Sequence, residues 1–226
     1  VADGLGEAAR PLLIFCKEGM MASIKIHGVP PSTFTRTVRL ACHEKGIDYE
    51  FVPTMPGEIT ALNPFRKIPA ITHGELVLFE TTAILRYFDR TFPGPKLWPD
   101  DSVGIAFCDQ WVSAVCDSLV NAALRYMASR YGFLPVPAEM RQQYLDKTRE
   151  VVPIFDRQLG KTRYLAGDGV TAADLFLAPV LFYFPDIPEL RAVADSAPNC
   201  ARWARDMADR PSVKATEPQH KPQLAA

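Results

Sequence analysis

The residues best suited to chemistry lie within residues 63–87, NPFRKIPAITHGELVLFETTAILRY. Ile68-Pro69 stands at the mouth of a short apolar run. Proline has no N–H and is an awkward opening for a strand unless it does something specific. A cis bond there would turn the N–H and C=O of Ile68 sideways, ready to pair with an extended peptide. Further on, Glu80-Thr81-Thr82 opens an amphipathic pattern through Ile84, Leu85 and Phe88, with the threonines as candidate N-caps. A helix beginning at Thr81 offers free N–H groups and a positive dipole end, which suit a carboxylate. Glu80 beside it supplies a negative charge for an amine. The stretch reads as a receptor for one end of a small zwitterionic peptide.

The elements that must hold these groups follow from periodicity. Residues 70–72 and 76–79 predict two strands, joined at His73-Gly74-Glu75 as a hairpin. Upstream, residues 24–27 alternate as a first strand. Gly28-Val29-Pro30-Pro31 is a turn, because two prolines cannot continue a sheet. Residues 35–45 then form a helix, with Val38, Leu40, Ala41 and Cys42 inward and Gly46 as its stop. Residues 49–52 are a second strand. So short a strand–helix–strand unit crosses over right-handed into a parallel pair. With the hairpin and the helix after Glu80 the order is βαβ-ββα, a thioredoxin-like domain over residues 21–92.

The Pro- and Gly-rich segment TFPGPKLWPDD contains a linker at residues 93–102, with Leu97 and Trp98 tucked into the domain interface. No strand pattern returns beyond it, so residues 103–215 read as an α-helical C-terminal domain and the fold as α/β plus all-α. Residues 103–131 form one long helix, in which Cys108, Trp111, Val112, Val115, Leu119, Ala122 and Tyr126 recur at three-and-four spacing. Pro135 and Pro137 separate it from a second stripe through Met140, Tyr144, Thr148, Val151, Phe155 and Leu159. Thr171-x-x-Asp174 is a capping-box-like helix start with a structural role. Residues 1–20 and 216–226 read as tails that lie outside the fold and are loose.

Bulk numbers narrow the classes. A chain of 226 residues, 48% apolar and 23% charged, has ample core. A net charge of −1 leaves no electrostatic footprint for nucleic acid or an anionic membrane. The apolar run at residues 12–16 is too short for a signal-peptide core or a membrane span. Five scattered cysteines with no CxxC favour reduced thiols and a cytoplasmic location. His27, His43, His73 and His220 share no ligand spacing, so no metal is expected.

NPFRKIPA followed by LFETTAI resembles the glutathione-binding half of glutathione transferases, whose pattern runs roughly NP-x-G-[QK]-[IV]-P-A, a hairpin, then [FL]-E-S-x-A-I. GVPPSTFTRTVRL resembles the start of serine-type members, phi-like and theta-like, with a bacterial source expected. The Y-L-x-G and T-x-x-D of residues 164–174 and Arg210-Pro211-Ser212-Val213 are similar to the family's helical half. The resemblance spans residues 24–216. It implies a homodimer, glutathione as cosubstrate, no metal, and a role in detoxification.

It also implies site residues. Ser32 would be the catalytic hydroxyl, donating to the glutathione sulfur. A free thiol has a pKa of about 8.5 and is mostly protonated at neutral pH, so a hydroxyl donor and a helix dipole would favour thiolate. The alternative is that Ser32 is only an N-cap. Thr33 is its rival for the sulfur, while Thr35 reads as a cap and Arg36 as structural. Glutathione would place its γ-glutamyl carboxylate at Thr81, its amine near Glu80 and its cysteine backbone on Ile68, just before Pro69. Its glycine would reach Lys67, with Arg66 as the alternative cation. The electrophile pocket is expected to draw on Phe34, Trp111, Val115, Leu119 and Tyr126. The implied reaction is conjugation of glutathione to a hydrophobic electrophile. Another glutathione-dependent reaction (dehalogenation, peroxide reduction or isomerisation) and a non-catalytic binding module stay open at this point.

Overall fold

The computed structural model describes residues 23–220 and 222–225. The tail predicted at residues 1–20 lies outside them. The N-terminal unit runs β1 (Ile24–Gly28), α1 (Thr33–Lys45), β2 (Tyr49–Pro53), β3 (Ala70–His73), β4 (Leu76–Phe79) and α2 (Thr81–Thr91). The sheet order is β2-β1-β3-β4, with β1 and β2 parallel and the other two pairs antiparallel. Ile24 and Ile26 of β1 and Ile71 of β3 share one core with Val38, Leu40 and Ala41 of α1 and Ile84, Leu85 and Phe88 of α2. Gly46 closes α1 in the left-handed conformation, φ 67°. Gly28 is required at the other end. A Cβ there would come within 2.4 Å of Thr35 Oγ1, so only glycine lets α1 seat over the turn.

The helical unit runs α3 (Ser102–Ser113), a π-helical stretch (Ala114–Leu124), α4 (Arg125–Arg130), α5 (Ala138–Leu159), α6 (Ala172–Leu181), a 3₁₀ turn (Phe184–Asp186), α7 (Pro188–Asp195), α8 (Pro198–Ala208) and α9 (Pro211–Ala215). The single long helix predicted over residues 103–131 is thus continuous but not uniform. Its middle is wound with i→i+5 hydrogen bonds, which widen each turn. By length and composition this apolar run of 29 residues would also suit a membrane crossing. Here it is the spine of the helical unit, packed on α5 and α6. Helix α7 carries no apolar stripe long enough to show in the sequence, since its inward contribution is only Leu190 and Val193.

All ten residues of α6 are buried. Its start is fixed by Asp174, whose carboxylate accepts from Thr171 N–H (2.9 Å), Thr171 Oγ1 (3.1 Å), Leu165 N–H (3.0 Å) and Trp203 Nε1 (2.9 Å). The two units dock mainly through α1. Thr37 Oγ1 donates to Leu175 O at 3.2 Å and Arg36 Nη2 to Val213 O at 3.2 Å. Arg210 and Ser212 both donate to the Glu44 carboxylate. In the linker Leu97 and Trp98 are buried, and Leu97 N–H donates to Asp89 Oδ1 at 2.7 Å.

The expectation of a loose C-terminal tail fails for its described part. Thr216 is fully buried and accepts from Arg36 Nε at 3.4 Å. Arg39 reaches the carbonyls of Ala215 and Thr216, and Ala225 N–H donates to Arg130 O at 2.8 Å. The tail's polar composition concealed this, because the Thr216 hydroxyl and carbonyl are the acceptors that meet Arg36 and Arg39.

Candidate active site

A cavity of about 330 Å³ lies between the two units. One wall is the N-terminal stretch singled out above: Asn63, Lys67, Ile68, Pro69, Glu80, Thr81 and Thr82. Asn63 is buried and braces the loop, its Nδ2 donating to Lys67 O (2.7 Å) and its Oδ1 accepting from Phe65 N–H (3.0 Å). That brace presents Lys67 and Ile68 to the cavity. Arg66 takes a left-handed φ of 58° and is not among the lining residues. The Ile68–Pro69 bond is cis.

At the other end of this wall Glu80 is the N-cap of α2, with φ 67° and ψ 113° and no side-chain cap bond. The threonines were predicted as caps; instead Thr81 is the first helical residue. With no cap in place, the first-turn N–H groups of α2 and its positive end stay free for a ligand. A cation, a carboxylate and a helix N-terminus therefore share one cavity, a set that complements a zwitterion.

The opposite wall comprises Phe34, Cys116, Asp117, Val120, Asn121 and Phe176. Phe34 is half-buried and meets Phe176 edge-on at 6.3 Å between ring centroids. The other four residues predicted for the electrophile pocket are core residues instead. Val115 and Leu119 are fully buried, Trp111 packs on Phe155 at 5.3 Å, and Tyr126 is buried beside Arg130 and Glu189. Packing against α5 and α6 is the reason. Val115, Leu119 and Ala123 stay on one buried face four residues apart, and the neighbouring stripe of Cys116 and Val120 faces the cavity. Periodicity alone offers no signal that tells these two stripes apart.

Ser32 caps α1. Its backbone is extended (φ −67°, ψ 126°) and its Oγ accepts from Thr35 N–H at 3.3 Å. It is half-buried and is not among the side chains lining the cavity, whereas Phe34 two residues later is. Thr33 is buried, and Thr35 lies inside α1, where it caps nothing. The thiol of Cys116 is pushed up to about 11 by burial, with Asp117 and Glu80 adding to the effect, so it stays neutral. Among the described residues no group of three or more His, Cys, Asp or Glu could hold a metal ion.

Comparisons with known families agree with the two-domain architecture. The model "Glutathione S-transferase, N-terminal domain" matches residues 26–96, and "Glutathione S-transferase, C-terminal domain" matches residues 113–211. Glutathione S-transferase F7 of Arabidopsis thaliana is 32% identical over 208 residues, covering 86% of this chain and 99% of that protein. Two solved structures align over 86% of this chain at 28% identity. Poplar glutathione transferase F1 gives a TM-score of 0.78 over 96% of its own length. A glutathione S-transferase-I bound with the ligand lactoylglutathione gives 0.77 over 98%. With a thioredoxin-like domain, a helical domain and relatives matched almost end to end, the chain belongs to the glutathione S-transferase family.

Proposed function

We propose that this protein is a serine-type, phi-like glutathione transferase that conjugates the glutathione thiolate to an electrophile, with Ser32 stabilising the thiolate. One observation carries the assignment: Lys67, Glu80 and the uncapped N-terminus of α2 converge on a single cavity. Glutathione carries two carboxylates and one ammonium. The γ-glutamyl carboxylate goes to the N-terminus of α2 at Thr81, where the free N–H groups and the dipole favour an anion. The ammonium goes to Glu80, the cysteinyl backbone lies along Ile68 beside Pro69, and the glycine carboxylate meets Lys67.

Ser32 serves two roles without conflict. Its Oγ accepts from Thr35 N–H, which uses a lone pair and leaves the hydroxyl proton free to donate. Donation to the glutathione sulfur, helped by the N-terminal dipole of α1, favours thiolate over thiol. The thiolate then attacks the electrophile, a C–S bond forms and the leaving group departs. Orientation and electrostatics come from the protein, and the nucleophile from the cosubstrate. The neutral Cys116 thiol does not compete. Phe34, Phe176 and Val120 offer the electrophile an apolar surface.

The protein acts as a cytoplasmic homodimer in this reading. Dispersed cysteines with no disulfide among the described residues favour the compartment. Phe65, Val77 and Val103 are exposed apolar side chains that a partner would cover, and sedimentation at micromolar concentration tests it. For the chemistry the test is Ser32→Ala with a chlorodinitrobenzene-type substrate. Turnover at neutral pH should fall about ten- to a hundredfold, the worth of one hydrogen bond to a charged group. Glutathione affinity by calorimetry should barely change. Unaltered turnover would remove Ser32 from the mechanism.

A further inference from the structure

We propose that Tyr183 is a positioning residue for this reaction, holding the turn that carries Ser32 from the opposite domain. The proposal rests on Ser32 acting as the thiolate-stabilising hydroxyl. Tyr183 follows α6 and is buried, and its Oη donates to Pro31 O at 2.8 Å, across 152 positions of sequence.

That carbonyl belongs to the peptide unit that supplies the N–H of Ser32. Its plane therefore sets where the Ser32 backbone, and with it Oγ, is aimed. The turn has few holds of its own. Pro30 and Pro31 have no N–H to contribute, and Ser32 N–H to Val29 O at 3.1 Å is its internal bond. The other ties to the helical unit act farther along α1: Thr37 with Leu175, and Arg36 with Val213 and Thr216. They hold the helix, whereas Tyr183 holds the turn. A misplacement of about 1 Å at a reacting group costs on the order of a hundredfold in rate, so a single well-placed bond has kinetic weight.

The donor is itself well seated. Its ring meets Tyr131 edge-on at 6.0 Å. The charged and titratable groups around it are Arg36 on α1, Tyr131 after α4 and Asp186 in the 3₁₀ turn. Burial pushes the Tyr183 hydroxyl up to about 12, opposed by Arg36 and assisted by Tyr131 and Asp186. It therefore remains a donor at neutral pH.

Tyr183→Phe keeps the ring and removes only the donor. Three readouts separate positioning from general stability: the pH profile of kcat/KM with chlorodinitrobenzene, the ultraviolet thiolate absorbance of bound glutathione, and calorimetric glutathione affinity. The expected result is a bound-thiol pKa shifted upward and a loss of about three- to tenfold in kcat/KM at neutral pH, the worth of one hydrogen bond. Glutathione affinity should hold. In a Ser32→Ala background the same substitution should cause no further shift, because a double-mutant cycle isolates the coupling. An unshifted profile for Tyr183→Phe overturns the proposal, as do losses that simply add in the double variant. If Ser32→Ala alone leaves the profile in place, the reading beneath fails first, and Tyr183 has nothing to position.

Discussion

Replacing Asp174 with Asn tests how much of the helical domain depends on one carboxylate. The substitution preserves shape but exchanges one acceptor oxygen for an NH₂ donor. Each Asp174 oxygen now serves two donors: Oδ1 takes Leu165 N–H and Trp203 Nε1, and Oδ2 takes Thr171 N–H and Thr171 Oγ1. Whichever way the amide turns, one of these pairs loses its acceptor and faces a donor instead. The Thr171 hydroxyl can rotate away, but a backbone or indole N–H cannot. The site is fully buried, so water does not compensate. An orphaned buried donor costs about 1–3 kcal/mol, so one or two of them with the opposed NH₂ amount to roughly 3–5 kcal/mol. Against a typical stability of about 5–15 kcal/mol this is a large fraction. Urea titrations at fixed protein concentration, followed by circular dichroism, read it directly. A midpoint that drops with an unchanged slope is the expected outcome. A loss below about 1 kcal/mol would refute the view that these donors depend on both carboxylate oxygens. Because α6 also carries Phe176 to the cavity wall, a destabilised variant should weaken electrophile binding before it unfolds.

Two further outcomes follow from the ion pairs and the cavity. Burial would raise the Glu44 carboxyl, but hydrogen bonds from Arg210 and Ser212 outweigh it and hold the group below the usual carboxylate range. A depressed folded pKa contributes stability above the unfolded value, about 4, that is lost as pH falls through the folded one. Glu44→Gln should therefore lower the urea midpoint at pH 7 and converge with the parent protein in acid; a gap that persists unchanged at low pH would contradict this. Lys67 is exposed at the cavity mouth, so Lys67→Ala should raise KM for glutathione only about two- to fivefold, as befits a screened pair, with kcat nearly constant. An effect that survives high salt would count against a simple charge contact.

The parts of the fold that were legible in the sequence are those set by neighbours. Period-two alternation marked β1, short apolar runs on either side of a Gly-containing turn marked the hairpin, and Gly46 and the two prolines before Ser32 marked the ends of α1. Most of the first cavity wall was legible for the same reason: Lys67, Ile68, Pro69, Glu80 and Thr81 come from one short stretch whose strand and helix fix their relative places. The second wall depends on helix register. Over Ala114–Leu124 an apolar pattern repeating every four residues fits both a regular and a widened helix. The two differ in which stripe reaches the cavity, and that is settled by packing against α5 and α6. The bond from Tyr183 to Pro31 was invisible for a third reason, since nothing local links residues 152 positions apart.

Glu80 shows where local rules and the needs of the cavity diverge. With φ 67° it stands in a conformation that glycine adopts freely and that costs other residues about 1–3 kcal/mol. A position under that constraint alone would favour glycine. A glutamate there means the carboxylate contributes something glycine cannot. It does not cap α2, since its side chain makes no cap bond. What remains is its place on the cavity wall beside Thr81. The same turn that strains the backbone keeps the carboxylate next to the positive end of α2 while leaving the helix N–H groups unspent. An ammonium and a carboxylate on one carbon need that arrangement, an acceptor and an anion site side by side, and the γ-glutamyl end of glutathione presents that pair.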